Sequence, residues 1–188
     1  TWPMKNKDHK PFKHQIDTTT MVLNNKRAFV LNEMGTGKTI SMLWAMDFLF
    51  ENQKIKKVLI VSPLSTMIAV WRREIFLNFP RSAVAIAHGS KDQRIAAINS
   101  NARYVIINHD GVVVMEKELV KAGFDVVIID ELTAYKTANT NRTKAMGKVA
   151  NSARAVYGLT GDPIPNRHME AFAQARVVNP FNPSLPKY

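Results

Sequence analysis

Two groups of residues in this sequence have the types and spacing to act on a phosphoanhydride. The first is Asn32-Glu33-Met34-Gly35-Thr36-Gly37-Lys38-Thr39, which follows the apolar run Ala28-Phe29-Val30-Leu31. Glycines let backbone N–H groups turn inward around phosphate oxygens, and the positive end of a following helix adds to the attraction. In that order Met34, Gly35, Thr36 and Gly37 form a cradle, the Lys38 ammonium reaches the β and γ phosphates, and the Thr39 hydroxyl binds Mg²⁺. The usual pattern opens on glycine, whereas this chain has Asn32, a residue that tolerates left-handed backbone better than most. The second group is Asp130-Glu131, at the exit of Val126-Val127-Ile128-Ile129. Adjacent carboxylates after a wholly apolar strand repel one another and are costly to leave without a cation. The pair fits a site in which Asp130 supports the metal and Glu131 is the base for an attacking water. An ordinary glycine turn and a solvated acid pair are the plain alternatives, and the presence of both groups in one chain favours a nucleotide with Mg²⁺.

These groups need elements to hold them. Buried strands are predicted at Ala28–Leu31, Val58–Val61, Val84–Ala87, Tyr104–Ile107 and Val126–Ile129, with a weaker one at Ala155–Leu159 interrupted by Gly158. Segments with helical spacing lie between or after them at Thr39–Phe50, Thr66–Asn78, Asp92–Ile98, Thr143–Ala150 and His168–Val178, the first of them amphipathic from Ile40 to Phe50. Alternating strands and helices predict an α/β fold in three layers, a mostly parallel sheet with helices on both faces. The segment from Asn179 to Pro186 is rich in proline and reads as linker.

A length of 188 residues against roughly 150 residues per domain predicts one domain over 1–188. Lysine and arginine number 26 against 15 acids, a formal charge of +11, so polyanions are natural partners. Cysteine is absent, which excludes disulfides, zinc–thiolate sites and thiol nucleophiles. No apolar run approaches a membrane span and no signal peptide is evident, so an intracellular protein, cytoplasmic or nuclear, is expected. The start at Thr1 and the end at Tyr188 suggest a piece of something longer.

Together these motifs resemble those of superfamily-two helicases, and among them the Swi/Snf-type DNA translocases. Lys13-His14-Gln15 stands where that family carries an adenine-reading glutamine, and Glu33 to Thr39 is close to its Walker A stretch. Val61-Ser62-Pro63-Leu64-Ser65 followed by Trp71-Arg72-Arg73-Glu74 is similar to a loop and helix near the nucleic-acid backbone, and Ile107-Asn108-His109 to a second backbone-contacting segment. Asp130-Glu131 begins its DExx box. Leu159-Thr160-Gly161-Asp162-Pro163-Ile164-Pro165-Asn166 is similar to the signature of the Swi/Snf branch. The resemblance implies a RecA-like P-loop lobe, adenine contact at Gln15, and nucleic-acid contacts at Ser65, Asn108 and His109. It also implies a second RecA-like lobe, absent here, whose arginines complete the ATP site. Thr133 stands where relatives often have histidine, Asn32 where they have an acid, and Asp162 where they have threonine, departures that bear on coupling more than on ATP binding.

Between Leu132 and Gly161 there is no acid, but Lys136, Arg142, Lys144, Lys148 and Arg154 are present. Lys144 and Lys148 are four apart and share a helix face, while Ala145, Met146, Val149 and Ala150 can face the sheet. Lys136, Lys144 and Lys148 are therefore candidate phosphate contacts, with a solvated helix face as the plain alternative. The expected function is the ATP-binding lobe of a DNA-dependent ATPase that moves on double-stranded DNA. A non-enzymatic nucleic-acid or partner-binding module on the same lobe is the second reading, and a stand-alone phosphotransferase the third.

Overall fold

A computed structural model describes residues 10–33, 35–161 and 168–180, the last segment by its backbone alone over 168–170. Met34 and most of the Swi/Snf-like signature, Asp162 to Asn166, lie outside the described residues, as does most of the proline-rich segment.

The centre is a six-stranded sheet: β1 (Arg27–Leu31), β2 (Val58–Ser62), β3 (Val84–Ala87), β4 (Tyr104–Asn108), β5 (Val126–Ile129) and β6 (Ala155–Thr160). All neighbours are parallel, in the order β1-β6-β5-β2-β4-β3. Side chains alternate between the faces of each strand. Leu59, Val61, Val105, Ile107, Val127 and Ile129 enter one core. Val58, Ile60, Tyr104, Ile106, Val126 and Ile128 enter the other. Central strands must therefore be apolar throughout, which is why periodicity made them legible.

The second core is covered by α1 (Lys13–Asn24), α2 (Lys38–Glu51), α4 (Arg73–Asn78) and, through Met67 and Trp71, the segment before α4, which follows the short exposed α3 (Leu64–Thr66). Between α3 and α4 the chain runs as a π-helix over Met67–Arg72. The first core is covered by α5 (Lys91–Asn99), α6 (His109–Val114), α7 (Glu116–Lys121), α8 (Asn141–Ser152) and α9 (His168–Val178), with a 3₁₀ turn at Leu132–Tyr135. Local signals start two of these helices. Ser90 Oγ accepts from Gln93 N at 3.3 Å while Gln93 Oε1 accepts from Ser90 N at 2.8 Å, and Thr140 Oγ1 accepts from Thr143 N at 3.1 Å.

Two expectations change. The helix after the phosphate loop is not amphipathic: Ser41, Met42, Leu43, Ala45, Met46, Asp47 and Phe50 are all buried, because α1 and α4 pack beside it as well as the sheet. Gly158 does not weaken β6. It pairs within the sheet with Phe29 and Ile129, and a Cβ there would lie 2.7 Å from Leu132 Cδ2 and 2.9 Å from Val178 Cγ2. The glycine lets the turn after β5 and the end of α9 close onto the strand. Arg27, at the start of β1, donates to the carbonyls of Val178 at 2.7 Å and of Ala150 and Ala153 at 3.3 Å, tying the C-terminal ends of α8 and α9 to the sheet.

Candidate active site

In a parallel sheet all strand ends of one kind lie along one edge, and the loops leaving the C-terminal ends form a crevice there. The loop after β1 and the turn after β5 both open onto it. A cleft of about 390 Å³ is lined by Gly35, Gly37, Lys38, Thr39, Asp130, Glu131 and Gly161 from the strand ends, and by Pro63, Thr66, Val70 and Glu74 from the segment after β2. The lysine of the glycine loop and the distant acid pair therefore face one another.

Gly35 and Gly37 have φ of 79° and 80°, the left-handed region that glycine enters without cost. Asn32 is not left-handed, since the described non-glycine residues with positive φ are Gln53 and Glu131. Its contribution is different: Nδ2 donates to Thr18 Oγ1 at 2.9 Å, which fixes the loop to α1. Lys38 Nζ donates to the carbonyl oxygens of Asn32 at 2.7 Å and Glu33 at 2.9 Å, so the ammonium is held in the loop. Burial lowers the Lys38 pKa, while the Asp130 and Glu131 carboxylates across the cleft oppose that shift. Gln15 lies against the loop. Its Nε2 donates to Thr36 O at 3.3 Å and its Oε1 accepts from Phe12 N at 3.0 Å, while a Cβ on Gly37 would collide with that Nε2. His14 Nε2 shares the Thr36 carbonyl at 2.9 Å.

Asp130 leaves β5 with its backbone N–H on Val61 O at 2.8 Å, and its Oδ2 accepts from Trp71 Nε1 at 2.8 Å. Trp71 is wholly buried and is carried by the π-helical segment. Burial raises the Asp130 pKa, the indole N–H lowers it, and the neighbouring Glu131 charge raises it again. Glu131 is exposed, has φ 58° and ψ 64°, and accepts from Thr133 Oγ1 at 2.7 Å.

Residues 14–181 match the profile of the SNF2-related domain. This chain belongs to the SNF2-related domain family. It is 31% identical over 186 residues to the putative protein p41 of Acyrthosiphon pisum secondary endosymbiont phage 1, covering 94% of this chain and 40% of that protein. It is 31% identical over 157 residues to the SWI/SNF-related matrix-associated actin-dependent regulator of chromatin subfamily A-like protein 1 of Xenopus tropicalis, covering 82% of this chain and 16% of that protein. The Sulfolobus solfataricus SWI2/SNF2 ATPase core, solved in complex with dsDNA, has the same fold, with a TM-score of 0.83 at 18% identity over 96% of this chain and 37% of that one. The SNF2-related chain thus spans less than half the length of these relatives.

The remaining expected contacts of this SNF2-related domain lie at the end of β4 or on the segments that follow β2, β4 and β5. Ser65 is exposed in α3, beside the cleft-lining Pro63 and Thr66. Asn108 ends β4, and its Oδ1 accepts from Arg94 Nη1 at 3.3 Å. Lys136 is exposed after the 3₁₀ turn, and Lys144 is exposed on α8 with Ala145, Met146, Val149 and Ala150 buried on its other side. One expectation needs correction. His109 is 8% exposed, with Nδ1 2.9 Å from the Tyr135 hydroxyl and the rings edge to face, so it is an internal link between α6 and the 3₁₀ turn rather than a surface contact. Lys148 remains accessible on α8, with Nζ 2.8 Å from Glu116 Oε1 in an exposed ion pair that a phosphate can displace.

Burial holds the His109 pKa down at about 4, the Arg142 guanidinium adding to the effect and Asp110 opposing it. An unfolded imidazole titrates near 6.5. Between those values the unfolded chain binds the extra proton, so stability is fully present above about pH 6.5 and is lost as pH falls toward 4, by on the order of 1–3 kcal/mol. Melting temperature followed from pH 7 to pH 4 is expected to fall less steeply in His109→Gln than in the wild type.

The Trp71–Asp130 and Thr133–Glu131 hydrogen bonds were not anticipated. A tryptophan inside an apolar helix signals one of them, because a buried indole N–H must find an acceptor.

Proposed function

We propose that this SNF2-related chain is the ATP-binding lobe of a DNA-dependent ATPase that converts hydrolysis into movement along double-stranded DNA inside the cell. The reading is carried by the cleft in which Lys38 and Thr39 face Asp130 and Glu131. The glycine loop binds the phosphates through backbone N–H groups, and Lys38 exchanges the carbonyls of Asn32 and Glu33 for β and γ phosphate oxygens.

The Thr39 hydroxyl and the Asp130 carboxylate are hard oxygen donors lining one cleft, a set that suits Mg²⁺ held partly by substrate phosphates. When bound, that ion withdraws charge from the β and γ oxygens. Trp71 holds one Asp130 oxygen in place. Glu131 takes a proton from water as the water oxygen bonds to the γ phosphorus. The bond from phosphorus to the β–γ bridging oxygen breaks, its electron pair leaves with ADP, and phosphate is the second product.

Ser65, Asn108, Lys136, Lys144 and Lys148 are the proposed contacts to the DNA backbone, and a second RecA-like lobe of the full-length protein is the proposed partner across the cleft. The dsDNA bound to the Sulfolobus ATPase core supports duplex as the track.

In the full-length protein, duplex DNA is expected to stimulate ATP turnover. Duplex affinity is expected to fall with salt at roughly −0.9 per neutralised phosphate on a log–log plot. Duplex binding without stimulated turnover favours the non-enzymatic module, and no duplex binding at low salt overturns both readings.

A further inference from the structure

We propose that the Thr133 hydroxyl positions the Glu131 carboxylate for proton transfer. This role rests on the proposed function of Glu131 as the base, and it adds a residue whose action is through Glu131 rather than on ATP.

Glu131 is difficult to hold in place. Its backbone is in the left-handed region, which L side chains rarely adopt, and its side chain is exposed, where a glutamate has several rotamers of similar energy. The backbone is fixed by the 3₁₀ turn that comes directly after it. Ala134 N donates to Glu131 O at 3.1 Å, and the turn is pinned at both ends. Leu132 is fully buried over Gly158, where no Cβ intervenes, and Tyr135 is fully buried with its hydroxyl on His109. Thr133 lies between these anchors, so its hydroxyl is presented from a rigid turn, and it donates to Glu131 Oε1 at 2.7 Å. The bond selects one direction for the carboxylate. It occupies Oε1 and leaves Oε2 as the oxygen that receives the proton. Losing the bond lets the carboxylate sample directions away from the attacking water, which slows the chemical step without altering phosphate binding.

Thr133→Val removes the hydroxyl at nearly constant volume, and Thr133→Ser keeps it. In the full-length protein the valine variant is expected to lower kcat by about tenfold or more at unchanged KM, with the serine variant restoring most of the loss. Thr133→Ala is expected to repeat the valine result if the valine methyl disturbs packing.

Three further measurements exclude a merely structural role. Mg·ATP affinity by equilibrium titration is expected to be the same in all variants. In the nucleotide-free protein, ¹³C relaxation of the Glu131 carboxylate is expected to show greater motion in Thr133→Val than in Thr133→Ser. Combining Thr133→Val with Glu131→Gln is expected to cost no more than Glu131→Gln alone.

Wild-type kcat in Thr133→Val, or a serine variant as slow as the valine, overturns the positioning role. Full turnover in Glu131→Gln overturns the base assignment, and the positioning role with it. An inactive Glu131→Gln beside a fully active Thr133→Val overturns the positioning role alone.

Discussion

Glu131→Gln in the full-length protein is expected to bind ATP as the wild type does while losing hydrolysis by about 10²-fold or more, the usual contribution of a positioned general base. The amide has the shape of the carboxylate and can still accept from the Thr133 hydroxyl, which is 2.7 Å away in the wild type. It cannot take a proton from water. Lys38, Thr39 and the Asp130 carboxylate with its Trp71 bond are untouched, so the proposed phosphate and metal contacts are expected to survive. Single-turnover hydrolysis, paired with equilibrium binding of a fluorescent ATP analogue, separates the two effects. Equal turnover in mutant and wild type removes Glu131 from the mechanism.

Lys38→Ala is expected to lose both binding and turnover. A charge-assisted contact to phosphate contributes up to about 3 kcal/mol, or about a hundredfold in affinity. The loop also loses the ammonium that joins the carbonyls of Asn32 and Glu33 at 2.7 and 2.9 Å. Lys38→Arg is expected to rescue poorly, because a planar guanidinium replaces a compact charge of different reach. Nucleotide titration checks the affinity directly, and wild-type affinity in Lys38→Ala removes the ammonium from phosphate binding.

The parallel sheet was legible because Val126–Ile129 and its counterparts must be apolar on both faces. The glycine loop was legible because its left-handed turns at Gly35 and Gly37 call for glycine. α1 was not legible: it buries Gln15, Thr18 and Thr19 along with Val22, a polar set without an apolar stripe. α6 was hidden for a different reason, since Gly111 followed by Val112, Val113 and Val114 has strand-like propensity that packing against α8 overrides. Within the site, spacing marked Lys38, Thr39, Asp130 and Glu131 as candidates. It did not give the hydrogen bonds that aim the acids, because Trp71 reaches Asp130 across the fold and Thr133 reaches Glu131 only through a left-handed turn. Nor did a histidine beside Asn108 reveal that it points inward to Tyr135.

Among the described strands, the one that ends in the glycine loop has a single neighbour, and it is the latest of them in sequence: Arg27 to Leu31 pair with Val156 to Thr160. A ribosome making this chain therefore releases the glycine loop long before the partner of its strand exists. β2, β4 and β5 can zip together first, leaving the glycine segment dangling until β6 arrives and closes a very long loop. A chain that stops short of β6 leaves the flank of β5 without its Ala155–Gly158 partner, and such a bare edge is prone to stick to other chains.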